Sequence, residues 1–225
     1  MKILALETTE LAGSLAAMDG GKLLLELALD HQKQSACTVA PGIRQLLADI
    51  GWKPRDVDLV AVTVGPGSFT GLRVGLATAK TFAYCVQAGI LGVGTLETVA
   101  AAAPDEVARL SIAVDAQRGQ VVAGEFCRDG TRELVPTAPA ELLDAEAWLS
   151  GLPGEVWASG PALRRYAGRV PSHARLLPRE YWSPSAAQVA RLAARDWAAG
   201  RRDDLWTLLP IYSRLSAAEE KWDSR

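Results

Sequence analysis

The chain has 225 residues, with 24 Lys and Arg against 26 Asp and Glu, for a formal net charge of -2. This near-neutral balance argues against a dedicated electrostatic nucleic-acid binder, which would show a basic excess. Hydrophobic residues make up 49% of the chain, which is enough to build a core. The length fits one large domain or two small ones. The three cysteines have no C-x-x-C spacing, so neither a disulfide framework nor a zinc cluster is indicated.

Short apolar segments predict three antiparallel strands at the start of the chain. They read KILALE, GSLAAMD and KLLLELAL, and Asp19-Gly20 between the last two is a hairpin signal. Apolar residues at helical spacing follow: Val39, Ile43, Leu46, Leu47 and Ile50. Gly51 fits the end of this helix, and Pro41 either begins it or bends it.

Strands and helices then alternate. The apolar run DLVAVTV predicts a central strand covered on both faces. A helix from about Gly71 to Gln87, a strand ILGVG and a helix TLETVAAAA follow. Three antiparallel strands followed by crossover units predict an α/β fold with a ribonuclease-H-like layout.

The second half reads as a shortened copy of the first. It opens with a strand LSIAVDA and a hairpin formed by VVAGEF and TRELV. We expect a helix over Ala138 to Leu149, a strand EVWASG, and a late helix capped by Ser183 or Ser185 and ended by Gly200. A boundary near Ala103-Pro104 gives an N-terminal lobe (1–103) and a reduced C-terminal lobe (104–225), whose tail can return to the first lobe.

The glycine-rich run VGPGSFTGLRVG matches no phosphate-binding motif. A P-loop requires a second glycine followed by lysine, and Thr70 stands in that glycine's place. A dinucleotide fingerprint fails as well, because its third glycine, Gly71, comes one residue late. Backbone N–H groups at the start of the helix remain a candidate anion site.

Small residues recur at every fourth position of the following helix: Gly71, Gly75, Ala79 and Ala83. A glycine within a helix costs ~1 kcal/mol relative to alanine, so Gly75 calls for a compensating close approach. The stripe faces either the sheet of its own chain or a helix of another chain, and spacing alone leaves both open. Leu72, Leu76 and Phe82 add apolar bulk beside it.

Four segments of the chain resemble segments of one known protein family. The run GPGSFTGLRVG is the most specific, and ILALETT resembles the family's opening strand. VDAQRGQVVAGEF, with Asp115, Ala116 and Arg118, resembles a second family segment, and PIYSRLSAAEEKW resembles its C-terminal tail. Together they span nearly the whole chain, and the family that they resemble is the TsaB (YeaZ) family of bacterial tRNA threonylcarbamoyladenosine synthesis.

This resemblance implies a two-lobe actin-like (Hsp70-like) fold with a shortened second lobe. It also implies a non-catalytic scaffold for TsaD, the subunit that transfers threonylcarbamoyl to an adenosine of tRNA, with the ATPase TsaE joining. Alone, the chain is expected to form a homodimer, to reach tRNA only through the complex, and to lie in the cytoplasm without a membrane segment. The glycine-led helix is expected to contact the partner through Gly67, Phe69, Thr70, Gly71, Leu72, Gly75, Leu76, Ala79, Phe82 and Ala83.

Two alternatives stay open beside the scaffold: an actin-fold enzyme acting alone, either an ATP-dependent transferase or a metallopeptidase, and a homodimeric module with another partner. TsaD-like enzymes hold a metal with a histidine pair, whereas here His31 has Ser35 four residues later. His173 lies in an irregular stretch, and we expect no metal.

Glu7, Thr8 and Thr9 are the candidate residues for nucleotide binding. Glu7, followed by Thr8 and Thr9, stands where actin-like enzymes place an aspartate near Mg²⁺. Because Glu is one methylene longer and Mg²⁺ tolerates little geometric slack, a structural role for Glu7 is favoured. The segment DAQRG lacks a paired-glycine phosphate loop, which favours an internal Asp115–Arg118 pair. We expect no cofactor of the chain's own, and ATP or ADP only at the interface of a complex.

Overall fold

A computed structural model describes residues 1–10, 12–30 and 35–213. The strands are β1 Lys2–Glu7, β2 Ser14–Asp19, β3 Lys22–Ala28, β4 Leu59–Gly65, β5 Gly89–Gly94, β6 Arg109–Gln117, β7 Gln120–Arg128, β8 Leu134–Pro136, β9 Glu141–Asp144, β10 Trp157–Ser159 and β11 Arg175–Leu176. The α-helices are α1 Ser35–Asp49, α2 Phe69–Val86, α3 Thr95–Ala100, α4 Ala145–Gly151, α5 Leu163–Tyr166 and α6 Ala186–Ala198.

The first sheet has the order β3-β2-β1-β4-β5. Strands β1, β2 and β3 pair antiparallel as a meander, and β4 and β5 join parallel to β1 through helical crossovers. Every residue of β4 is buried, because β4 lies inside the sheet and both of its faces are covered. The prediction of a central, doubly covered strand is confirmed.

The second sheet repeats this layout. Its order is β11-β10-β6-β7-β8, with β9 also paired to β7. The hairpin β6–β7 is antiparallel, and β10 and β11 are parallel to β6. Reading from β8, the strands follow the same pattern as β3 to β5 of the first sheet, and β10 and β11 have only 3 and 2 residues. The expected α/β layout of two related lobes, the second shortened, is confirmed; the boundary near Ala103-Pro104 stays a prediction.

Alternating side chains of the first sheet build a core on each of its faces. Leu4 and Leu6 point to the face covered by α1 and α2, whereas Ile3 and Ala5 point to the face covered by α6. Successive side chains of a strand point to opposite faces, so β1 serves both cores. Helix α6, which follows the second sheet in the chain, therefore completes the first lobe.

Three local predictions from sequence are resolved or corrected. The helix expected over Ala138 to Leu149 begins only at Ala145, and Glu141–Asp144 before it pairs with β7 as β9. Asp144 accepts hydrogen bonds from the N–H groups of Glu146 and Ala147, which fixes this later start. Pro41 lies inside α1. The late helix begins after Ser185, whose side chain caps it.

Within the described ranges, no helix is long and apolar enough to cross a membrane.

Candidate partner-binding surface

The turn between β4 and α2 is fixed by contacts inside the chain. The N–H of Ser68 donates to the carbonyl of Thr9 at 2.9 Å. The hydroxyl of Ser68 accepts from the N–H of Gly71 at 3.2 Å and caps α2. Gly67 packs against Thr9, because a Cβ at this position would overlap the Thr9 side chain. The glycine-rich run thus holds the start of α2 against the end of β1.

The small-residue stripe of α2 faces the interior of its own chain. Gly71, Gly75, Ala79 and Ala83 are all buried. A Cβ added at Gly71 would overlap the backbone of Thr8, and one at Gly75 would overlap its hydroxyl. That hydroxyl donates to the carbonyl of Gly71 at 2.9 Å. The glycines therefore let α2 approach Thr8 closely.

This placement decides between the two alternatives that the spacing left open, because the stripe faces the interior of its own chain and not a helix of another chain. The space above Gly71 and Gly75 is already filled by Thr8, and Leu72 and Leu76 are buried in the same way. Of the residues expected at a partner interface, Phe69 and Thr70 are exposed, and Gly67 and Phe82 are partly exposed. Partner contact through α2 stays a prediction, and its exposed faces are the ones open to a partner.

An apolar groove lies between α1 and α2 on the outside of the first lobe. Its volume is about 730 Å³. Ile43 and Leu47 form its floor on α1, and Phe82 lies on α2. The remaining lining residues are Ala40, Arg44, Ala48, Trp52, Pro54, Ala77, Thr78, Thr81 and Cys85. Apolar clefts of this kind on a protein surface mark binding sites for ligands or partner chains.

Residues 201–212, here called the C-terminal strap, run along the other side of α2. Arg201 and Asp203 tie the start of the strap to Gly92 of β5, by hydrogen bonds of 2.7 and 2.8 Å to its backbone. The ammonium of Lys80 donates to the carbonyls of Trp206 and Leu208 at 3.3 and 3.0 Å. Ile211 then donates from its N–H to the carbonyl of Val64 at 2.6 Å, beside the glycine-rich turn.

The strap adds an exposed aromatic surface to α2. Trp206 meets Tyr84 edge-on at 5.7 Å between ring centroids, and Tyr212 meets Phe69 at 4.9 Å. Trp206 is 72% exposed and Tyr84 59%. Large exposed aromatic side chains are enriched where proteins meet partners. The outer surface of α2 is thus apolar toward α1 and aromatic toward the strap.

Glu7 is fully buried at the end of β1. Its Oε1 accepts hydrogen bonds from the N–H of Thr9 at 2.6 Å and from the Thr9 hydroxyl at 2.5 Å. Among the described residues, Oε2 has no hydrogen-bond partner. Burial raises the pKa of Glu7 to about 8, against the opposing effect of the Thr9 hydrogen bonds. Glu7 is therefore mostly protonated at neutral pH, and a neutral carboxyl is a poor ligand for Mg²⁺.

The neighbouring candidate residues are also held by internal contacts. The N–H of Thr8 faces the Thr63 hydroxyl at 3.4 Å, while its own hydroxyl contacts α2 as described above. Glu10, just beyond, forms an ion pair with Arg164 of α5 and so joins the two lobes. The three residues Glu7, Thr8 and Thr9 accordingly form a buried structural cluster.

Asp115 lies at the end of β6 and is exposed. Its carboxylate accepts from the N–H of Gln117 at 2.7 Å and lies 4.0 Å from Arg165. Arg118 follows in the hairpin with a φ of 52°. The Asp115–Arg118 pair expected from sequence stays a prediction.

His173 points its Nε2 at the carbonyl of Leu152, 2.9 Å away. His31 lies outside the described residues, and so does the side chain of Ser35. Across the part of the chain that the structure describes, no group of three or more His, Cys, Asp or Glu side chains could hold a metal ion. That the chain binds no metal stays a prediction, because His31 lies outside the described residues.

Several surface residues were not singled out from the sequence. Arg73, Tyr84, Trp206 and Tyr212 lie up to 139 positions apart and meet only in the fold. One signal was available on α2 itself, where Arg73, Lys80 and Tyr84 share a helical face opposite to the stripe. The strap has no periodicity that would have indicated its path.

Comparison with known proteins agrees with this architecture. Residues 29–203 match the model of a family described as TsaD, tRNA N6-adenosine threonylcarbamoyltransferase. The YeaZ structure from Pseudomonas aeruginosa is similar with a TM-score of 0.82 at 27% identity, covering 94% of this chain and 99% of that one. Component A of the (R)-2-hydroxyglutaryl-CoA dehydratase of Acidaminococcus fermentans has a TM-score of 0.52 at 10% identity, covering 88% and 99%, which is a likeness of fold alone. The expected two-lobe actin-like fold is confirmed.

Full-length relatives define the family more closely. The tRNA threonylcarbamoyladenosine biosynthesis protein TsaB of Bacillus subtilis is 30% identical over 99% of this chain and 98% of its own length. The protein of the same name from Escherichia coli is 28% identical, with 98% of each chain covered. These matches extend over both lobes and include the glycine-rich turn that holds α2. The chain therefore belongs to the TsaB (YeaZ) family.

Proposed function

We propose that this chain is a non-catalytic partner and activator of TsaD in the transfer of threonylcarbamoyl to an adenosine of tRNA. The observation that carries the proposal is the apolar groove between α1 and α2, which lies on the helix that bears the family's most specific motif. Its floor of Ile43, Leu47 and Phe82 offers the apolar contact that a partner helix needs. Membership of the TsaB family supports the same pathway.

The proposed lack of catalysis is supported by the Glu7 cluster. An actin-like enzyme needs an ionised carboxylate near the phosphates, whereas burial raises the pKa of Glu7 to about 8. Thr8 and Thr9 direct their hydroxyls to Gly71 and Glu7, rather than toward a ligand. We therefore assign the chain no cofactor of its own, and ATP or ADP only at the interface of the complex.

The remaining parts of the proposal concern the assembly. TsaD occupies the groove in the heterodimer, and a second copy of this chain occupies it when the chain is alone. TsaE joins the heterodimer, and tRNA is reached through the complex in the cytoplasm. Because a homodimer and the heterodimer share one surface in this scheme, they compete.

The test separates the groove from the rest of the chain. Ala77 is exposed and lines the groove, so Ala77→Arg places a long cation there without entering the core. Ala198→Arg makes the same change at an exposed position of α6, on the opposite side of the first sheet, and is the matched control. Each purified variant is mixed with TsaD and passed over a sizing column.

We expect the wild type and Ala198→Arg to co-elute with TsaD, and Ala77→Arg to elute separately with normal melting. Modification of tRNA from the activated threonylcarbamoyl donor should need TsaD as well as this chain. Modified tRNA formed by this chain without TsaD would contradict the non-catalytic role. Co-elution of all three forms with TsaD would show that TsaD does not bind at the groove.

A further inference from the structure

Arg73 lies on α2 between two aromatic rings. Its guanidinium carbon is 3.8 Å from the ring centroid of Phe69 and 5.7 Å from that of Tyr212. Its Nε donates to the hydroxyl of Tyr212 at 2.9 Å. Phe69, one helical turn before Arg73, and Tyr212, 139 positions after it, thus fix the plane and the direction of this exposed guanidinium.

This arrangement leaves the outer edge of the guanidinium as its remaining polar feature. Five N–H donors surround a guanidinium in a rigid fork, and the Tyr212 hydroxyl accepts from the one on Nε. Among residues 1–10, 12–30 and 35–213, no carboxylate lies within ion-pair distance of Arg73. Carboxylates and phosphates both match this fork through two parallel hydrogen bonds, and the carboxylate is the one that a protein partner supplies from its own side chains.

Arg73 lies near the groove along α2. Ala77, one helical turn further along α2, lines the groove. Arg73 itself lies on the exposed strap side of α2, against Tyr212. Arginine, tyrosine and tryptophan are the residue types that most often dominate binding energy at interfaces. Because the two rings already hold the guanidinium, little side-chain entropy remains to be lost on binding.

We propose that Arg73 anchors TsaD by receiving a carboxylate of a TsaD side chain on the exposed strap side of α2. This inference rests on the proposed function, since it names the charge that complements this surface. Phe69 and Tyr212 act as positioning residues, because they orient the fork through stacking and through the Nε hydrogen bond. The strap thereby contributes to partner binding through its terminal tyrosine.

The test measures the affinity of TsaD for the full chain and its variants by titration calorimetry at low and high salt. Arg73→Ala removes the fork, and Arg73→Lys keeps the charge but loses the planar donors. Arg191→Ala removes an exposed arginine from α6, on the opposite side of the first sheet, as the matched control. Melting of each free variant verifies folding.

We expect Arg73→Ala to weaken binding by about tenfold or more, because a charge-assisted pair is lost. Arg73→Lys should weaken binding nearly as much, and Arg191→Ala should leave it unchanged. Affinity of the wild type should fall with added salt more steeply than that of Arg73→Ala. Tyr212→Phe, which keeps the ring and removes the hydroxyl, should weaken binding by a smaller factor. Combined with Arg73→Ala, it should weaken binding no further than Arg73→Ala alone.

Three results would overturn the inference. Equal affinity and equal salt dependence of the wild type and Arg73→Ala would exclude an anchor while leaving the proposed function intact. Failure of the wild type to bind TsaD would remove the proposed function and the inference together. If the effect of Arg73→Ala disappeared in a chain ending at Ser213, the carboxylate would come from the chain's own residues 214–225 instead of from TsaD.

Discussion

Replacing Glu7 with glutamine should remove a large pH dependence from the stability of this protein. Burial raises the pKa of Glu7 from 4.5 to about 8 in the folded chain. The folded state then binds the proton more tightly than the unfolded state. The corresponding stability is fully present below pH 4.5, falls as the pH rises through the window between the two values, and levels off above pH 8.

The magnitude follows from the two pKa values. Each unit of pKa difference corresponds to about 1.4 kcal/mol. The free energy of unfolding of the wild type therefore falls by about 3 kcal/mol between acidic solution and pH 7. The amide introduced by Glu7→Gln carries no titrating proton, and its carbonyl can still accept from Thr9. The variant should therefore gain about 3 kcal/mol over the wild type between pH 4.5 and pH 7, beyond any constant offset.

Urea unfolding between pH 4.5 and pH 8.5 measures this difference directly. Glu106→Gln removes an exposed carboxylate and controls for the loss of surface charge. Curves of stability against pH that run parallel for the wild type and Glu7→Gln would refute the reasoning. They would mean that Glu7 is ionised in the folded chain, which would reopen its candidacy as part of a nucleotide site.

Two further predictions concern α2 and metal content. Gly75→Leu should cost about 1–3 kcal/mol of stability, because its side chain overlaps the Thr8 hydroxyl. Ala77→Leu, on the exposed groove side, should leave the melting temperature of the chain nearly unchanged. Normal melting of Gly75→Leu would show that the stripe has room for a partner. Elemental analysis of the untagged chain should find no stoichiometric zinc or iron, and one tightly held equivalent would contradict the prediction that the chain binds no metal.

Much of the first lobe could be predicted from local sequence, because its signals are local. The hairpin at Asp19-Gly20 and the buried run of β4 depend on turn chemistry and on side-chain period within a few residues. The prediction of a helix over Ala138 to Leu149 was partly wrong because it used only local signals. Residues 141–144 become a strand only because the edge of β7 is available to pair with them, and that edge is remote in sequence.

The glycine spacing of α2 showed that something approaches the helix closely, since Gly75 is costly without it. It could not show what approaches, because Thr8 lies 63 positions from Gly71 and its distance is set by the packing of α2 on the first sheet. The same holds for the Arg73 clamp, which exists only once the strap has crossed α2. Sequence by itself determined the family, the alternation of elements and the need for close packing on one helix face. Tertiary structure decided which face of α2 remains open, because long-range contacts alone assign each face to the core or to solvent.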